Sequence, residues 1–232
     1  MSNRQWTVAR LCAVNLRSAW MTTLTIVMVV TVPSIIQIVQ AGPDEYFANS
    51  YLLSSGNAWY PLLVVAPAIV ATRHIAKVMH LNAAKEVFLG GAVILYALLA
   101  LAVSATNLGF YHVLDRSWAQ TFQVVNVADV VGWTNHGVLV AFVQQAVFLL
   151  LVGIAVHCLV SLHGSWTGWL IDLALLALIS ASFVVEPLIS VRGWIVELLV
   201  VHPVAIVQIV SCVIAAMALY AISLTTLRRQ EL

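Results

Sequence analysis

The chain has 232 residues, of which 62% are hydrophobic and 8% charged, and its formal net charge is +1. Soluble domains carry about 25% charged residues, so this composition excludes a soluble globular protein and makes lipid the solvent. The balanced charge gives no basis for binding nucleic acid, and three cysteines without a CxxC pair (Cys12, Cys158 and Cys212) suggest small buried hydrophobes rather than a disulfide or metal set.

A helix needs about 20 apolar residues to cross a bilayer. Six stretches qualify as spans: 19–40, 59–78, 87–108, 137–160, 167–185 and 199–225. The fold class expected is an all-α membrane protein with six transmembrane helices in a single domain over residues 1–232. Arg4, Arg10, Arg17, Arg73, Lys77, Lys85, Arg228 and Arg229 fall on the side that holds the N-terminus, against Arg116 and Arg192 on the other. Lysine and arginine concentrate in cytoplasmic loops, which predicts a multi-pass protein of the plasma membrane with both termini cytoplasmic.

Residues 5–17 mix Trp6, Val8, Ala9, Leu11, Cys12, Val14 and Leu16 with Arg10, Asn15 and Arg17. The pattern predicts an amphipathic helix lying flat on the cytoplasmic leaflet rather than a straight extension of the first span. That span is too long for a cleavable leader, and Pro33 inside it predicts a kink. Gly42-Pro43-Asp44 marks a turn in the outer loop, where Tyr46, Tyr51, Trp59 and Tyr60 suit an aromatic belt at the headgroups. Pro61 fits the first turn of the second span, and Pro67 bends it.

The stretch 73–86 is basic and free of glycine and proline, so it continues as a helical link at the cytoplasmic face. Span three follows, almost purely apolar, with Gly90-Gly91 allowing close helix contact. In the outer segment 109–136, Gln120, Gln123, Asn126 and Asp129 recur every third residue, which predicts a short surface helix, and His112, Asp115 and Arg116 suggest a solvated polar cluster.

Polar groups inside spans are costly and usually face other helices. Gln144 and Gln145 in span four and Asp172 in span five form the candidate intramembrane polar site. Asp172 suits either a proton or cation site or a carboxylate paired with His163, Trp169 or a neighbouring span. His112, His136, His157 and His202 lie at different depths, which disfavours a haem. Residues 186–198 predict one or two short outer helices in which Glu186, Arg192 and Glu197 pair, and Pro203 falls in the first turn of span six.

Two stretches resemble the permeases of ABC-2 type ABC exporters, above all the compact six-span bacterial ones. One is Val8-Ala9-Arg10-Leu11 with Val14-Asn15; the other is Lys85-Glu86-Val87-Phe88-Leu89-Gly90, similar to the end of that family's cytoplasmic coupling segment. Length and span number are similar over nearly the whole chain. The chain departs from the pattern at Leu81, where the family usually has glycine, and at Ala84, where it has a second basic residue. The resemblance implies a coupling helix formed by Met79, His80, Leu81, Asn82, Ala83, Ala84, Lys85 and Glu86, docking on a separate ATPase subunit. It further implies two ATPase copies beneath a permease dimer of two identical chains, with ATP and Mg bound by the partner and no cofactor in this chain. The chain has no GxxxxGK[ST] sequence, so the resemblance makes it the non-catalytic half of a pump. A non-transport assembly or immunity factor and a secondary transporter are the alternatives; few membrane charges and no evident inverted repeat disfavour the second.

Overall fold

The computed structural model describes residues 3–40, 51–75, 84–119, 123–163 and 166–229. The chain begins with helix α1 (Asn3–Val14), followed after a break by α2 (Arg17–Gln40). A short strand β1 (Tyr51–Leu53) leads to α3 (Leu62–Ile69), which widens into a π-turn over Val70–His74. Helix α4 (Lys85–Phe110) passes through a second π-turn, Tyr111–Asp115, and ends at Trp118. Strand β2 (Gln123–Val125) and the short α5 (Val127–Val130) precede α6 (Val138–Leu162). The chain closes with α7 (Trp166–Ala181), α8 (Glu186–Val196, prolonged to Val201) and α9 (Ala205–Arg229).

Among the described residues, three helices are long and apolar enough to cross a membrane: Lys85–Trp118, Val138–Leu162 and Ala205–Arg228. Two bent pairs raise the number to five if each is one span. They are Asn3–Val14 with Arg17–Pro33, bent by 53°, and Gly168–Ala181 with Glu186–Val201, bent by 100°. The remaining expected span, 59–78, is not among these candidates; its described part holds α3 and its π-turn, and its last residues, together with 79–83 of the expected coupling helix, lie outside the described residues.

Lipid tails are as apolar as leucine, so these helices associate by close packing and by interhelical hydrogen bonds rather than by the hydrophobic effect. Helix α6 packs against α3, α4 and α9, and α1 packs along the start of α4. The largest fully buried side chains of this core include Phe88, Tyr96, Leu62, Leu63 and Leu16. Val8, Ala9, Cys12 and Leu16 are spaced to form one face of α1 and its exit, and all four are buried. Arg4, Arg10 and Arg17 stay exposed. Asn15 closes the first helix by donating its side-chain amide to the Leu11 carbonyl at 2.8 Å, satisfying one of the carbonyls left over at a helix end.

Several expectations are corrected. Span three does not stop at Leu108. The continuous helix Lys85–Trp118 has 34 residues, about 51 Å at 1.5 Å per residue, well beyond a hydrocarbon core of about 30 Å. It continues because Asp115 is held in a buried polar cap rather than in solvent; that residue is only 3% exposed. The predicted surface helix through Gln123 and Asn126 is instead β2 followed by α5. The β-branched Val124 and Val125 pair in parallel with Leu52 and Leu53. In the last third, α8 extends to Val201, and Pro203 lies in the break before α9 rather than in its first turn.

Candidate functional site

At one end of the α4–α6 pair, the two stretches that carry the sequence resemblance meet. A side chain on Gly91 would place its Cβ 2.8 Å from the Gln5 carbonyl oxygen and from Val8, so only glycine permits α1 to lie this close to α4. Gly90 faces Gln5 in the same way. Ala84 is extended, and Lys85 and Glu86 form the first turn of α4. Glu86 Oε1 accepts a hydrogen bond from Arg228 Nε at 3.0 Å and lies 3.0 Å from Arg228 Nη2. The Glu86 carboxyl is held below its ordinary value of 4.5, first by a backbone hydrogen bond at its own residue and then by Arg228. Met79, His80, Leu81, Asn82 and Ala83 lie outside the described residues.

Deeper between the helices, the Tyr96 hydroxyl and His157 Nδ1 share a hydrogen bond of 2.7 Å, and Phe88 stands 6.1 Å from the imidazole. His157 Nε2 is buried without a partner among the described residues. The three sequence-predicted intramembrane residues do not form one site. Gln145 is fully buried and donates Nε2–H to the Tyr60 hydroxyl at 2.9 Å. Gln144, also fully buried, makes no side-chain hydrogen bond among the described residues. Asp172 sits on α7 and pairs with His163 at 2.5 Å, with the two side chains 28% and 34% exposed.

The opposite end carries a polar cap that sequence spacing missed. Asn126 Nδ2 lies 2.8 Å from Asp115 Oδ2, 3.1 Å from Asn107 Oδ1 and 3.1 Å from Ser54 Oγ. Its own Oδ1 accepts from the Ala128 amide and from Asn107 Nδ2. Asn107 Nδ2 also reaches the Tyr60 hydroxyl at 2.9 Å, so Tyr60 joins this cap to Gln145 on α6. Tyr60, partly buried, is thus a polar hub. Asn57 donates to the Val125 carbonyl at 2.8 Å and accepts from the Val127 amide, supplying the end of β2 with the partner a third strand would offer. Gly56 packs against Asn107, leaving no room for a Cβ. The cap extends to the α8–α9 break, where Trp133 Nε1–H donates to the Val200 carbonyl and His136 Nε2 lies 2.9 Å from the Pro203 carbonyl.

Glu186, Arg192 and Glu197 do not pair. Arg192 instead stacks on Phe183, with its guanidinium carbon 4.2 Å from the ring centroid. Among the described residues, no group of three or more His, Cys, Asp or Glu is placed to hold a metal ion. Comparisons with models of known protein families, with curated proteins and with solved structures give no match to this chain.

Proposed function

We propose that the chain is the transmembrane permease subunit of an ATP-driven exporter of the ABC-2 type, working as a dimer with two separate ATPase subunits. Six spans, cytoplasmic termini and a bacterial plasma membrane belong to this proposal. The observation that carries it is the meeting of α1, the first turn of α4 and the end of α9 at one end of the bundle. There Gly91 seats Val8, and Glu86 joins Arg228. The expected helical link over 73–86 is interrupted at Ala84, which is extended, so the proposed coupling segment enters this junction through Lys85 and Glu86 in the first turn of α4. Force applied to it by an ATPase subunit passes into α4, which packs on α6, and through Arg228 into α9. ATP and Mg reside on the partner, and this chain supplies the pathway.

The docking residues have their own test. Replacing Lys85 and Glu86 together by alanine is expected to leave the chain inserted and to abolish retention of the ATPase subunit. Complex formation unchanged by the double substitution contradicts docking at this segment.

A further inference from the structure

Helices α7 and α8 form a V, bent by 100° over a short turn. The inside of the V is a cavity of about 330 Å³, lined by Leu178 and Ile179 on one arm and by Leu188, Val191, Ile195 and Arg192 on the other. Its outer surroundings are apolar too: Leu176, Phe183, Val184 and Trp194 are all more than half exposed, as suits side chains in contact with acyl chains. Arg192 is the only ionisable residue lining the cavity. Its Nη1 is buried and has no hydrogen-bond partner among the described residues. Among the described residues, no carboxylate forms an ion pair with it.

Arg192 is only partly buried, but the buried Nη1 arm of its guanidinium is costly to leave unpaired, and its fork of N–H donors matches phosphate oxygens. Stacking on Phe183 fixes one face of the group but supplies no hydrogen-bond acceptor. A cation at the edge of an apolar cleft within a lipid-facing pair of helices fits one kind of molecule: an amphiphile with an anionic head and a hydrocarbon tail. From this geometry we infer that the V of α7 and α8 binds a membrane phospholipid, with its phosphodiester on Arg192 and one acyl chain along Leu178, Ile179, Leu188 and Ile195. Charge complementarity and the apolar lining select the lipid together, and the site does not depend on the ATPase partnership.

The test is native mass spectrometry of the purified full-length chain with defined additives: dioleoyl phosphatidylglycerol, dioleoylglycerol, or inorganic phosphate alone. The wild-type chain is expected to retain phosphatidylglycerol and to hold dioleoylglycerol, which lacks the phosphate, about tenfold or more weakly. Arg192→Gln is expected to reduce phosphatidylglycerol retention by a similar factor, and Arg192→Lys to preserve part of it. Ile179→Trp, which fills the cleft and leaves the charge in place, is expected to lower retention as well. Equal retention of the two lipids, or retention unaffected by both Arg192→Gln and Ile179→Trp, overturns the inference. Saturable binding of inorganic phosphate with no preference for the lipid overturns it too, since it reduces the site to a simple anion contact.

Discussion

Glu86 and Arg228 stand 142 residues apart in the chain, yet the Arg228 guanidinium donates to the Glu86 carboxylate at 3.0 Å. The contact ties the first turn of α4 to the last turn of α9. Both side chains are about half exposed, so its effect on global stability is small. Its value lies in geometry, since it fixes the terminus of one helix against the start of another.

Acidification follows from the direction of the Glu86 shift. Its carboxyl is held below the ordinary value of 4.5, so the pair contributes fully at neutral pH. The contribution is lost as pH falls through that lowered value, because the unfolded chain takes up the proton first. A charge swap, Glu86→Arg with Arg228→Glu, is expected to retain the ATPase subunit better than either single change. Co-purification of the four forms at pH 7 checks this; equal loss in the swap and the singles contradicts it.

The seat of α1 gives a paired prediction. Gly91→Leu forces side-chain atoms into Val8 and the Gln5 backbone and is expected to destabilise by about 1–3 kcal/mol. Gly109 has nothing within 4 Å of a built Cβ, so Gly109→Ala is expected to stabilise the helix by about 0.5–1 kcal/mol. Thermal unfolding in detergent measures both. Proteolysis at the N-terminus should accelerate only in the Gly91 variant.

The polar cap predicts a large local effect. Asn126→Ala removes the donor that meets Asp115, Asn107 and Ser54 and leaves buried acceptors unpaired, at a cost of ~2 kcal/mol or more. Hydrogen exchange should rise across 51–59 and 123–136 while the core of α6 stays protected. Uniform exchange over the whole chain would show that the cap is no separate unit.

Asp172 separates a structural from a transporting role. Its partner His163 is at 2.5 Å and both are partly exposed, so Asp172→Asn is expected to cost under about 1 kcal/mol. Export measured in reconstituted vesicles should be unchanged by it. Loss of export with an intact melting curve would make Asp172 part of the pathway.

The apolar runs at 87–108 and 137–160 were legible in the sequence because a 20-residue hydrophobic stretch has few alternatives to a helix in lipid. The face of α1 was legible too, since Val8, Ala9 and Cys12 follow helical spacing. The cap was not. Tyr60, Asn107, Asn126 and Asp115 come together only through tertiary packing, and nothing in local spacing marks a tyrosine that joins such a cap. Val124 and Val125 betray β2 by their branching alone, and the polar period around them, read as helix, hid the signal. Arg192 was misassigned because Glu186 and Glu197 flank it in sequence, whereas the turn after α7 brings Phe183 to it instead.

Isolation of the tagged chain from its native cells in mild detergent, with mass spectrometry of everything retained, decides whether an ATPase is its partner. A stoichiometric second protein carrying a P-loop is expected. Repeated recovery of the intact chain alone would contradict that partnership.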